Sequence, residues 1–195
     1  MLAWLPTYFS ETLNLGLAGA AQVSLRPPIA ASAASALAGP AADGAVARGV
    51  PVGAVRKAAQ CAAFLGPAAC LVGASLADGP LSVGFVSLSL GLASFSLAGL
   101  YCNHADLSPR YAPVLLGLTN TCGALPGIVG VAVTGALYDA TDSWALSLFA
   151  PSIVLFLTGS AVFVAWGSAE AQDFGGAADA PFEVEALWRG GKGGE

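Results

Sequence analysis

The run GPLSVGFVSLSLGLASFSLAGLYCN, Gly79–Asn103, decides the fold, because it continues for 25 residues without a charge or the polar stripe of a surface helix. A helix needs roughly 20 apolar residues to cross the hydrocarbon of a bilayer, so this run is long enough to span. Comparable stretches lie on either side. Ala58–Ala77 precedes it, Tyr111–Tyr138 and Ser143–Ala169 follow it, and further upstream Leu17–Pro40 is broken only by Arg26. Only 10% of the 195 residues are charged, against about 25% in an ordinary soluble domain, so a water-soluble bundle would have no polar coat. The expected fold is an all-α polytopic membrane bundle over 1–169, followed by a polar tail at 170–195 that is expected to be disordered.

The opening Met1–Tyr8 is too short to span and lacks the basic start and cleavage site of a secretory signal. It reads as the end of a helix whose beginning is missing, so five full spans plus a stub imply a piece of a larger protein. Cys61, Cys70, Cys102 and Cys122 lie in or at the ends of spans, without metal-ligand or disulfide spacing, and read as packing residues.

Threading the chain back and forth sorts the loop charges onto two ends. Glu11, Asp78, Asp139 and Asp142 fall at one end, and Arg48, Arg56, Lys57 and Arg110 at the other, with Arg189 and Lys192 in the tail. The positive-inside rule turns the basic end toward the cytosol or its equivalent, such as a plastid stroma. Leu17 then lies outside and the C-terminus inside.

Between the first two full spans, Gly39-Pro-Ala-Ala-Asp43 is followed by Arg48 and Arg56-Lys57. A carboxylate closing one helix can pair with Arg or Lys across a cytosolic mouth and hold an alternating-access machine shut on that side. The same charges could equally serve topology alone. The loop resembles the G-x-x-x-D…R-K loop of major facilitator transporters, with Gly44 where a basic residue usually follows the Asp. The stretch Gly99-Leu-Tyr-Cys-Asn-His-Ala-Asp-Leu-Ser-Pro109, with Leu125-Pro-Gly-Ile-Val-Gly-Val-Ala-Val-Thr-Gly135, resembles the anion:cation symporters of that superfamily, and among them the plant and algal plastid phosphate branch. The resemblance runs from the first residue to about Phe174. It implies the C-terminal six-helix bundle of a twelve-helix transporter, from the end of helix seven to helix twelve.

Polar groups at membrane depth are costly and point to function. His104 is the only histidine and lies where the 25-residue run ends. It could bind an anion or couple proton movement to substrate, or it could cap its helix. The resemblance sets the matching histidine near the substrate pathway and adds Tyr101; Asn103, directly before His104, and Asn120, well inside the next span, complete the substrate or coupling candidates. Asn120 could instead bridge neighbouring helices. Asp106 and Arg110, four residues apart, are expected to form a local ion pair that shapes the loop, and with Asp43, Arg48, Arg56 and Lys57 they complete the candidate cytosolic gate. Gly123, Gly127 and Gly130 give a helix face on which another backbone can approach closely. Arg26 is expected to snorkel to the acidic end, the other reading being an anion site facing the cavity.

No phosphate-cradling loop, nucleophile elbow or nucleic-acid patch is present, and one histidine leaves little for a multi-histidine metal site. The chain therefore reads as a non-enzymatic, cofactor-free half of an anion transporter. Its expected partners are the bilayer, a phosphate or organic anion, a coupling proton or sodium ion and the N-terminal half of the same protein. The alternative is a truncated membrane protein that only packs or dimerises through its small-residue faces.

Overall fold

Glycine and proline set the helix boundaries. The computed structural model describes residues 2–172, which form eight α-helices: α1 (Leu5–Thr12), α2 (Leu17–Val23), α3 (Arg26–Ala47), α4 (Val52–Leu76), α5 (Gly79–Ala93), α6 (Leu100–Leu107), α7 (Ala112–Thr141) and α8 (Ala150–Trp166). Gly49 closes α3 with φ +88°, and Gly79 turns α4 into α5 with φ +54°, conformations that glycine takes without a Cβ clash. Pro80 and Pro113 sit in first turns, where a missing N–H leaves no intrahelical bond unmade, whereas Pro151 directly follows a π-helical turn within a continuous helical run. No strand occurs among the described residues.

Four helical runs among them are long and apolar enough to cross a membrane: Val52–Leu76, Gly79–Leu107, Ala112–Thr141 and Ala145–Trp166. The second joins α5 to α6 through a 3₁₀ turn at Ser94–Leu97, and the fourth joins a π-helical turn at Ala145–Phe149 to α8. The fifth expected span, 17–40, is not among them. It divides at Ser24–Leu25 into α2 and α3, because the successive Pro27 and Pro28 remove two adjacent backbone donors, a loss that a first turn absorbs. Arg26 therefore opens a helix instead of lying inside one, and α3 runs on to Ala47. Of the expected tail, 173–195 lies outside the described residues, Arg189 and Lys192 included.

The largest apolar centre joins Leu5, Tyr8 and Phe9 of α1 to Leu71 and Ala74 of α4, Val83 and Val86 of α5, and Leu148 and Phe149 of the π-helical turn. A second, smaller centre of Ala38, Ala42, Val55 and Ala98 binds α3 to α4 near the basic end. The seam between α4 and α5 is tight. A Cβ on Gly73 would lie 2.8 Å from the Phe85 ring, and one on Gly66 would lie 2.9 Å from Leu92.

The charges gather as the topology requires. At the acidic end the Glu11 carboxylate accepts from Tyr138 Oη at 2.5 Å and from Trp144 Nε1 at 2.8 Å, tying α1 to α7. Trp4 Nε1 adds a bond to the Val131 carbonyl at 3.2 Å.

Candidate functional site

The site is built on the interruption between α5 and α6. At Gly99 the chain leaves the helical path, with ψ −89°, and the N–H of Leu100 turns to a side-chain acceptor, Gln60 Oε1 of α4, at 3.0 Å. Only glycine fits at position 99, because a Cβ there would lie 2.8 Å from the Gln60 backbone nitrogen. One turn earlier on α4, Arg56 Nη1 donates to the Ala98 carbonyl at 3.1 Å. The half-helix α6 is thereby anchored to α4 at its start.

The same arginine anchors its far end. Arg56 Nε donates to Asp106 Oδ2 at 2.6 Å and Nη2 to Oδ1 at 3.3 Å, a two-pronged pair whose side chains are 13% and 21% exposed. This corrects the expected Asp106–Arg110 pair. Helical spacing fails between those two residues, since α6 ends at Leu107 and Ser108 is extended, so the Asp106 carboxylate meets α4 instead. The Arg110 guanidinium lies 5.6 Å from the Tyr111 ring centre. The other gate candidates share the basic end without a common contact. Lys57 Nζ donates to the Val164 carbonyl of α8 at 2.9 Å, Arg48 Nη1 donates to the Gly44 carbonyl at 3.3 Å, and Asp43 is exposed on the last turns of α3.

Between α6 and α7 lies a cavity of about 420 Å³ lined by Tyr101, His104, Thr119, Asn120 and Gly123, with Leu100 and Ala124. Three of the four substrate or coupling candidates thus share one opening. Asn103 does not line it and is buried on α6, 6% exposed. The His104 ring is also 6% exposed and bridges the two helices. Nε2 lies 3.1 Å from Thr119 Oγ1, and Nδ1 lies 3.3 Å from the Tyr101 carbonyl.

Thr119 lets this arrangement serve either charge state of the ring. Its hydroxyl reaches the Leu115 and Leu116 carbonyls at 3.0 and 3.1 Å, so it can donate there and accept from a protonated Nε2. Turned the other way, it donates to a neutral Nε2 while Nδ1–H faces the Tyr101 carbonyl. A rotating hydroxyl therefore keeps His104 bonded with or without its second proton.

Thr119 was not among the residues singled out from sequence. His104 stands four residues before the turn at 108–111 and Thr119 eight residues after it, so no mirror register of the hairpin paired them in advance. Gln60 carried no signal either. Gly123, Gly127 and Gly130 have nothing within 4 Å of the place a Cβ would occupy, so their close-packing face meets no described part of this chain.

No protein-family model matches the chain. It is 52% identical over 176 residues to "Probable anion transporter 6, chloroplastic" of Arabidopsis thaliana, a match covering 89% of this chain and 34% of the relative. Two further Arabidopsis thaliana relatives are 37% identical over 171 residues, or 87% of this chain: "Sodium-dependent phosphate transport protein 1, chloroplastic", of which 33% is covered, and "Ascorbate transporter, chloroplastic", of which 31% is covered. The chain spans about a third of the length of the relatives it matches.

Proposed function

We propose, from this chain's place in the chloroplastic anion transporter family, that it forms one wall of an anion pathway in a multi-pass plastid membrane protein. The observation carrying this reading is the cavity of the α6–α7 hairpin, where Tyr101, His104 and Asn120 converge. A tyrosine hydroxyl, a side-chain amide and an imidazole can all donate to anionic oxygens, and the cavity is of the size small-molecule sites favour. Phosphate is the first substrate expected and an organic anion such as ascorbate the second.

On this reading the chain is the C-terminal half of a major facilitator fold, with α3 at Arg26–Ala47 in place of the expected span 17–40 and the later spans near 58–77, 79–103, 111–138 and 143–169. The N-terminal half supplies the opposite wall and most of the fixed positive charge. His104 exchanges the coupling proton, with sodium as the other candidate ion, and the Arg56–Asp106 pair holds the basic end closed in one state of an alternating-access cycle. Gly123, Gly127 and Gly130 receive the other half.

Uptake of labelled phosphate and of ascorbate into vesicles tests this. The chain alone is expected to move neither, and the chain co-purified with the N-terminal portion of an Arabidopsis relative is expected to move one of them. Robust uptake by the chain alone would overturn the half-site reading. A stable co-purified pair that moves neither anion would overturn the anion pathway.

A further inference from the structure

Arg26 stands apart from the other cations of the described chain. Arg48, Arg56, Lys57 and Arg110 gather at the basic end, whereas Arg26 opens α3 at the acidic one. It is exposed, and no carboxylate among the described residues lies within ion-pair distance of it. It stands instead at a groove of about 410 Å³ between α3 and α5. Both walls repeat at helical spacing, with Arg26, Ile29 and Ala33 on α3 and Pro80, Gly84 and Ser87 on α5. Each helix therefore turns one face to the groove over about 10 Å of its length.

Pro80 fixes the depth of the cation. It is the second residue of α5, just past Asp78 in the turn that joins two apolar spans. A residue lining the groove beside it lies near the level of lipid headgroups. Inward from Arg26 the lining is apolar except for Ser87, whose hydroxyl donates to the Val83 carbonyl of its own helix at 2.8 Å. The groove thus offers an anion one charged anchor and no second donor, which suits a small polar solute poorly. A cation at headgroup level above an apolar channel is complementary to an anionic amphiphile, because the guanidinium pairs with a phosphate while the channel takes hydrocarbon. The Cβ position of Gly84 has nothing within 4 Å, so the channel is open there.

We propose that Arg26 and the α3–α5 groove bind an anionic phospholipid, its phosphate on the guanidinium and one acyl chain along Ile29, Ala33 and Gly84. The assignment stands independently of the transport reading. To test it, the full 195-residue chain is reconstituted in phosphatidylcholine vesicles with a minor share of phosphatidylglycerol and extracted gently, and retained lipid is read by native mass spectrometry. Phosphatidylglycerol is expected to be enriched about fivefold over its bulk share, the ratio one surface cation commands. Arg26→Gln should return the ratio to parity, Arg26→Lys should keep most of it, and Arg48→Gln at the opposite end should leave it unchanged. Gly84→Leu fills the channel with the charge intact and should also abolish the enrichment, which keeps the test decisive if Arg26→Gln fails to fold. Phosphatidylglycerol at its bulk share in the unmodified chain would overturn the proposal, as would enrichment that survives both variants. So would loss of enrichment on co-expression with the N-terminal portion of a relative, which would give the groove to protein.

Discussion

α4 and α7 are both long, both carry a proline inside, and both are rich in small residues, yet they stand in opposite surroundings. In α4, 39% of the membrane-spanning window is buried within the chain, and in α7 none of it is. The glycines show why. Those of α4 at 66 and 73 are pressed against Leu92 and Phe85, while Gly123, Gly127 and Gly130 of α7 face open space. α7 is held near its two ends, by Trp4 and Glu11 on one side and by the His104–Thr119 contact on the other. Small-residue density therefore marks a helix that can be approached closely, without saying whether the approaching helix belongs to the same chain.

Substitutions that add volume or remove an anchor can break this contrast. The largest effect is expected at the α4 seam: Gly99→Val drives a Cβ into the Gln60 backbone, which cannot swing aside, and should cost about 3 kcal/mol or prevent folding, as read by thermal unfolding in detergent. A Gly99→Val chain as stable as its parent would mean that α6 is not docked on α4. Next comes Arg56→Met, which leaves the partly buried Asp106 carboxylate without its partner and should cost about 1–3 kcal/mol. Adding Asp106→Leu should recover much of that loss, and a double variant worse than the single one would show that the anchor is not this pair.

His104→Gln is smaller in stability, about 1 kcal/mol, since an amide can still reach Thr119. On the proposed reading, in which His104 exchanges the coupling proton, the variant's signature is functional: uptake by the assembled protein should lose its pH dependence, because glutamine carries no exchangeable acid proton. An unchanged pH profile would reduce His104 to a structural bridge. The smallest effect is expected for Gly127→Leu, within about 0.5 kcal/mol in the isolated chain. The same substitution should block co-purification with the N-terminal portion of a relative. Destabilisation of the isolated chain by Gly127→Leu would mean that α7 is already packed, and the contrast with α4 would fall.

Part of the lining of the α6–α7 cavity was readable before any coordinates. His104 and Asn120 stood out because polar groups are rare in such runs, and the resemblance added Tyr101; all three line one cavity. Asn103 was grouped with them by adjacency in sequence, but successive residues of a helix point in different directions, and it lies off the cavity. The Asp106–Arg110 expectation failed for a related reason, since spacing of four brings side chains together only while the helix continues, and α6 stops at Leu107.

The sequence by itself determined the membrane setting, the helical class and the two charged ends. Those follow from properties that add up along the chain: hydrophobic length, scarcity of charge and the alternation of loops. Tertiary structure alone decided which carboxylate Arg56 meets, that Gln60 catches the backbone freed at Gly99, and that α4 is enclosed while α7 is bare. Such contacts join residues 40 or 50 positions apart. Their existence depends on how helices cross in space, a geometry that no local pattern of residues encodes.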